Sequence, residues 1–483
     1  MKTRTNLKTA LAAAVIAGLA LTAAGQRHPR ELGPAPELKF KLVRPTTFTL
    51  ANGIQCFYIE DRELPLVSVT GLVKGGSLHE PAAKAGLASL FGTVLRTGGT
   101  RKLTGDEINE ELEFLAASIE SSTGPEYTSI RANSLKKDFG RLVELMADLI
   151  MNPEFRQDKI DLARNQSLES MRRRWDQPMQ VAMLLFSEKL YGPDSPYGRR
   201  ATPATLGGLT RDDLLDFHRR TFAPGNLTVG ITGDVPQKEA RAALEKAFKA
   251  WPARPLTLPD IPALVERADG TVYYAAKDTP QGNVVLGHLG IAARSPDEFK
   301  VAVMNDILGG GGFTARLMKE LRSNRGLTYG IYGGVSEGIG RERGAFRIAS
   351  QLKAAQLVEA LDLIKGIIRD MQDNPVSDEE IATAKNSLVN SFVFRFEQKA
   401  QVLGQFMQLK LRGYPDDYLD AYIENIRKVT KADIREAARK YMDPGKMIVV
   451  VVGDEKRFDR PLAGFGKVKE IDLKALQEAE KAR

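Results

Sequence analysis

Asp213–Asp234, DLLDFHRRTFAPGNLTVGITGD, and Asp433–Asp454, DIREAARKYMDPGKMIVVVVGD, are two writings of one pattern. Each starts with residues at helical spacing, turns at Pro-Gly, runs through β-branched apolar residues and stops at Gly-Asp, which predicts helix, turn and strand. The two copies lie about 220 residues apart, and similar segments at a fixed offset mark a duplicated unit.

Working outward, Asn152-Pro153 opens a helical stretch through Asn165 and Met171, and Asn374-Pro375 opens its counterpart through Lys385 and Phe392. Further upstream, Leu66–Leu72 before Gly75-Gly76 parallels Asn283–Ile291 before Arg294-Ser295. Each half therefore reads as strands, helices, further strands, then helices and a last strand. That order predicts α+β layers rather than a doubly wound parallel sheet. Pro252, Pro255, Pro259 and Pro262 break any regular element across 251–270, which places a linker between a first unit at 26–250 and a second at 271–460, with 461–483 as a C-terminal tail.

The chain has 483 residues, 43% of them hydrophobic, enough for more than one core. Lys2, Arg4 and Lys8 precede an uncharged Ala- and Leu-rich run from Thr9 to Gln26, closing on Thr22, Ala23, Ala24 and Gly25. Charge, short apolar core and small-residue exit in that order predict a secretory signal peptide at 1–25. A membrane-spanning helix needs about 20 strongly apolar residues, more than this run supplies. A periplasmic or secreted protein with no stable membrane anchor is expected. Removing the three leading charges lowers the formal charge from +8 to +5, and the basic residues are scattered, which argues against nucleic acid as a partner. The single Cys56 forbids an internal disulfide.

Chemistry is expected around Gly75–Thr100, GGSLHEPAAKAGLASLFGTVLRTGGT. This stretch resembles the zinc motif of the pitrilysin/insulinase metallopeptidases, which carry Gly-Ser, Glu-Pro, then Gly-Leu-Ala-His-x-x-Glu-His on a helix. In that motif two His on adjacent helical turns hold zinc and the Glu acts as general base. Gly86, Leu87 and Ala88 match, but the His positions hold Ser89 and Thr93, and the Glu position holds Gly92. The family's further Glu ligand aligns with Ser170, or with Glu169 if the alignment slips by one. Neutral hydroxyls are poor zinc ligands and Gly offers none, so no metal is expected in this chain. His79 as a replacement ligand has a competing reading as a surface loop residue.

Gly309–Gly330, GGGGFTARLMKELRSNRGLTYG, resembles the family's second domain, where an Arg precedes by seven residues a Tyr within Gly-Leu-x-Tyr. Arg322 and Tyr329 have that spacing. The resemblance assigns them substrate binding and transition-state support in trans, whereas on their own they read as a solvated helix residue and a strand aromatic. Gly309, Gly310, Gly311 and Gly312 read either as a helix-ending turn or, by analogy with non-catalytic subunits of two-chain processing peptidases, as a substrate loop. The family's peptide-binding edge strand aligns with Ala117–Gly124, ASIESSTG, which keeps Thr123 alone of its usual residues.

The resemblance spans residues 44 to 457 or so. It implies two homologous α+β domains, each a mainly antiparallel sheet with helices packed on it, forming a clam-shell around a chamber. It further implies a non-catalytic subunit whose homologous zinc-bearing partner supplies metal and base for cleaving unfolded peptides. The competing expectations are a catalytically inert peptide-binding or assembly protein of the same fold, and, ranked last, new chemistry at Ser89 or Thr93, which have no base beside them.

Overall fold

The computed structural model describes residues 42–482 other than Arg341; the signal peptide expected at 1–25 lies outside the described residues. The first half runs β1 (Thr46–Thr49), β2 (Gln55–Glu60), β3 (Leu66–Lys74), α1 (Leu87–Thr97), α2 (Gly105–Phe114), β4 (Ser118–Thr123), β5 (Tyr127–Leu135), α3 (Phe139–Met151), α4 (Gln157–Arg174), α5 (Pro178–Tyr191), α6 (Pro203–Gly207), α7 (Arg211–Thr221), β6 (Leu227–Gly233) and α8 (Gln237–Ala247). The second half runs β7 (Val272–Ala276), β8 (Gln281–Ala292), α9 (Glu298–Asn305), β9 (Thr328–Val335), β10 (Arg343–Lys353), α10 (Leu357–Asp373), α11 (Asp378–Phe392), α12 (Lys399–Arg412), α13 (Tyr418–Lys428), α14 (Lys431–Tyr441), β11 (Ile448–Gly453), β12 (Val468–Ile471) and α15 (Leu473–Ala482). No helix or strand forms between α8 and β7, as the four prolines there dictate.

Two six-stranded sheets result, in the orders β1-β2-β6-β3-β5-β4 and β12-β7-β11-β8-β10-β9. Five strands correspond one to one, and in both sheets the one parallel pair of that set joins the last strand of the repeat to the first. Each half is therefore a mixed, mainly antiparallel sheet with helices on it, the α+β class read from the sequence. The duplicated segments are built alike at atomic detail. The amide of Asp213 donates to Thr210 Oγ1 at 3.3 Å and that of Asp433 to Thr430 Oγ1 at 3.2 Å, and each Asp carboxylate accepts in return from the Thr amide. These reciprocal caps start α7 and α14, each worth about 1 kcal/mol.

The halves exchange helices. Val181, Ala182, Leu185, Phe186 and Leu190 of α5 form one core with Val285, Leu289, Val450 and Val452 of the second sheet. In return α12 crosses to the first sheet, where Leu403 and Met407 cover Gly230 so closely that a Cβ there would lie 2.9 Å from Leu403 Cδ2. Burial at about 1.5–3 kcal/mol per large apolar side chain makes each half depend on the other. Polar contacts follow the same route: Lys399 Nζ lies 2.6 Å from Asp61 Oδ1, and Glu126 accepts from the Gly340 amide at 2.8 Å and from Arg412 at 2.8 Å. Sequence similarity cannot display this exchange, because each helix sits in its own repeat.

Residues 461–483, read from the sequence as a tail, instead carry β12, which pairs in parallel with β7, and α15. Glu480 on α15 accepts from Trp175 Nε1 at 3.1 Å and pairs with Arg174. The short strand has no counterpart in the first repeat, which is why self-comparison passes over it.

Where the chain returns from α12 to the second half, Tyr414 Oη donates to Glu337 Oε2 at 2.7 Å, and the Glu337 carboxyl neighbours that of Glu298. Burial first, then the neighbouring Glu337, pushes the Glu298 carboxyl well above the ordinary carboxylate range. A raised acid contributes stability below its unfolded value and loses it as pH climbs toward the folded one. Glu298→Gln, which keeps a donor and cannot ionise, is therefore expected to melt above the parent by about 2–4 °C at pH 9, with the gap closing toward pH 5. A difference in Tm that stays flat across that range in scanning calorimetry would refute a raised Glu298 carboxyl.

Candidate functional site

α1 is the helix on which the zinc motif would sit. Its start is held from outside: the Glu80 carboxylate accepts from the amides of Gly86 at 3.1 Å and Ala88 at 2.9 Å. Burial raises the Glu80 pKa while those two bonds pull it down. Leu87, Ala88, Leu90, Phe91, Val94 and Leu95 are buried, so the helix is anchored by its apolar face as any core helix is.

The three motif positions divide between solvent and packing. Ser89 and Thr93 are exposed, and the Thr93 hydroxyl is spent on the Ser89 carbonyl at 3.1 Å. Gly92 is buried against the edge strand β4: a Cβ there would lie 2.7 Å from Thr123 Oγ1 and 2.9 Å from the Ser122 carbonyl carbon, and closer still to the Thr123 amide. Ser121 Oγ clamps the contact by donating to the Gly92 carbonyl at 2.7 Å. The place of the general base is thus occupied by the backbone of β4. Ser170 is exposed on α4, and its neighbour Glu169 pairs with Arg173 at 2.9 Å.

Among the described residues no three His, Cys, Asp or Glu side chains converge to hold a metal ion. His218 donates from Nε2 to the Ile150 carbonyl at 2.7 Å, and burial drives its pKa down to about 4. His288 bridges the Leu289 carbonyl, 2.9 Å from Nδ1, and the Asp443 amide, 2.8 Å from Nε2. Both rings are core residues in neutral form. His79 is half-buried and shifted downward by burial. The Cys56 thiol is buried and pushed up to about 12 by desolvation, which leaves it unreactive as a nucleophile. The residues present do not fit the family's zinc.

In the second half the chain winds as π-helix over Asp306–Gly310 and again over Met318–Asn324, an uncommon geometry that recurs at functional sites. Between them lies the glycine run. A Cβ on Gly309 would lie 2.7 Å from the Gly333 carbonyl, one on Gly311 would meet the Asp306 carbonyl at 2.7 Å, and Gly312 has φ +60°. Close packing and backbone sign account for these three, whereas a Cβ on Gly310 would lie 3.2 Å from the Asn305 carbonyl, a tight fit that a small shift relieves. Gly309 against β9 repeats the contact of Gly92 against β4, so the two halves pack their edge strands in the same way.

This loop presents Phe313, 63% exposed, with its ring centre 4.6 Å from the Arg322 guanidinium, and the ring of Tyr329, 84% exposed, lies at the same distance. Among the described residues no carboxylate or carbonyl pairs with the Arg322 guanidinium. Its sequence neighbours differ. Arg316 is bound by Glu380 at 2.6 Å and Asp370 at 2.7 Å, and Arg325 by Glu320 at 2.7 Å and Glu359 at 3.1 Å. A cation stacked against two rings and paired with no acid is suited to donate hydrogen bonds to a carbonyl or carboxylate from outside. Phe313 and the exposed Tyr332 were not singled out in the sequence. The only signals were an aromatic directly after a glycine run and a second Tyr three residues after the first.

Arg322 and Tyr329 belong to the second half and Ser89, Gly92 and Thr93 to the first, and among the described residues no hydrogen bond or ring contact joins the two groups. Comparison with known proteins finds likenesses over both halves. Residues 57–195 match the profile described as insulinase (peptidase family M16), and residues 208–388 match the one described as peptidase M16 inactive domain. An uncharacterised zinc protease of Streptomyces coelicolor is 28% identical over 71% of this chain and 75% of its own. The non-peptidase homologue YmxG of Helicobacter pylori is 23% identical over 84% of this chain and 93% of its own. A crystal structure of a peptidase M16 inactive domain from Pseudomonas fluorescens superposes with TM-score 0.78 at 27% identity, covering 85% of this chain and 98% of that one. The periplasmic protease PqqL of Escherichia coli shares the fold with TM-score 0.73 at 14% identity, over 89% of this chain and 48% of its own. With its two repeats, its emptied motif and these likenesses, the chain belongs to the pitrilysin/insulinase family, peptidase family M16, as a member of inactive type.

Proposed function

We propose that this chain is the non-catalytic subunit of a heterodimeric zinc peptidase, supplying Arg322 and Tyr329 to a homologous zinc-bearing partner that cleaves unfolded peptides. The observation that carries the reading is the open Arg322 guanidinium stacked against Phe313 and Tyr329. A side chain kept only for the fold would be paired, as Arg316 and Arg325 are. In this reading metal and general base come from the partner. This chain's guanidinium and phenol donate hydrogen bonds where negative charge develops on the scissile carbonyl oxygen, the interaction that lowers such barriers most. The leader-like N-terminus supports a periplasmic or secreted setting, and no helix among the described residues is long and apolar enough to cross a membrane.

Co-expression with a family member bearing an intact His-x-x-Glu-His is expected to give a heterodimer with peptidase activity and zinc bound through the partner alone. Two chains of this size should bury well over about 1,000 Å². Separate monomers in gel filtration, with no gain of hydrolysis, would instead favour the inert peptide-binding or assembly protein.

A further inference from the structure

The patch around Arg322 extends beyond the pair carried by the resemblance. Tyr332, 63% exposed, folds its ring back over Gly330, where a Cβ would lie 3.5 Å from Tyr332 Cε2. Phe313 and Tyr329 share a single unpaired cation, and Tyr332 exposes a third ring further along β9. Exposed aromatics gathered in this way, unlike scattered ones, mark a contact surface.

The strand beneath them is the outer strand of its sheet. At Val335 the backbone faces outward onto Asn305, whose Nδ2 donates to the Val335 carbonyl at 2.7 Å and whose Oδ1 accepts from its amide at 2.8 Å. At Gly333 the edge is sealed by Gly309. The two-residue alternation of a strand turns the backbone of Ile331 outward as well, between the two tyrosines, where neither seal reaches. An extended peptide can pair there by backbone hydrogen bonds and lay side chains on the flanking rings.

We infer that Phe313 is a specificity-determining residue: its exposed ring beside Arg322 selects an aromatic or aliphatic side chain of an extended peptide. Arg322 holds a peptide carbonyl and is indifferent to sequence, whereas the ring of Phe313 reads the side chain. Phe313 can do this because Gly312, at φ +60° with open space around it, turns the loop so that the ring leaves the core and covers the guanidinium. The inference builds on the proposed function by naming the side-chain class that the site accepts, yet it concerns binding by this chain alone.

The test is fluorescence anisotropy with the full chain and two fluorescein-labelled synthetic peptides, Gly-Ser-Lys-Ser-Phe-Phe-Ser-Gly and the same peptide with Ser in place of both Phe. The Phe peptide is expected to bind on the order of tenfold more tightly, the scale of losing an aromatic contact at an interface. Phe313→Ser should remove that preference and Phe313→Leu should keep part of it. Arg322→Ala should weaken both peptides, because the carbonyl it holds is common to the two. Circular dichroism melts should not move for Phe313→Ser, since the ring is exposed. A preference that survives Phe313→Ser, or no binding of the Phe peptide by the parent chain at millimolar concentration, overturns the inference. Neither result touches the heterodimer, whose own test is activity on mixing. Conversely, a Phe313-dependent preference in a chain that never assembles with a zinc-bearing partner would leave this inference standing and remove the proposed function.

Discussion

Arg322→Ala and Tyr329→Phe, each introduced into the assembled heterodimer, are expected to lower peptide turnover by about 100- to 1,000-fold, the cost of deleting one donor to a developing oxyanion. Zinc content and assembly should stay as in the parent. The two substitutions act differently. Tyr329→Phe removes one hydroxyl and leaves the ring that stacks on Arg322, so its effect should fall on kcat. Arg322→Ala also unstacks Phe313 and Tyr329 and removes a backbone-holding cation, so KM should rise alongside the fall in kcat. The control is Arg325→Ala. That side chain forms exposed ion pairs with Glu320 and Glu359, worth about 0.2–1 kcal/mol of stability, and turnover should not follow its loss. Steady-state kinetics on correctly assembled material decide the matter: if both Arg322→Ala and Tyr329→Phe turn over like the parent, this chain contributes nothing to the chemistry.

The second large effect concerns the motif itself. Writing the family's residues back in, as Ser89→His, Gly92→Glu and Thr93→His together, is expected to give a protein that neither holds zinc nor folds properly. The outer two changes are harmless, since both positions are exposed on α1, and the double variant Ser89→His/Thr93→His should stay within about 0.5 kcal/mol of the parent. Gly92 decides the outcome. Any side chain there meets the Thr123 amide and the Ser122 carbonyl carbon, which are backbone atoms and cannot rotate away, so α1 and β4 must part. Overpacking of that kind costs about 1–3 kcal/mol, and lost strand packing adds to it for Glu. Gly92→Ala alone should therefore lower Tm by several degrees, whereas Gly310→Ala, with 3.2 Å to the nearest atom, should lower it less. A triple variant that folds at the parental Tm and binds one zinc by atomic absorption would show that β4 yields, and that the site was stripped but not filled.

Much of this was legible in the linear chain. The repeat at about 220 residues gave the two-lobed α+β plan, because helix caps, Pro-Gly turns and β-branched strands are local devices that survive duplication. The loss of the metal site was equally plain, since zinc needs particular ligand atoms and Ser89, Gly92 and Thr93 do not carry them. The spacing of Arg322 and Tyr329 could be seen, but their meaning could not. An Arg on a helix reads alike whether it is ion-paired or open, and only the placement of Glu380, Asp370, Glu320 and Glu359 separates Arg316 and Arg325 from Arg322.

What the sequence determined by itself was therefore composition-bound chemistry: which ligands are missing, which segments repeat, where prolines forbid regular structure. Contacts between residues far apart in the chain were decided only by the tertiary structure. It exchanged α5 and α12 between the halves, brought residues beyond 460 back as an edge strand, pressed β4 into the space of a general base, and set Phe313 over Arg322. The physical reason is common to all four. Periodicity and capping act within a few residues, whereas packing satisfies every buried face at once, and no local signal records which distant surface will cover it.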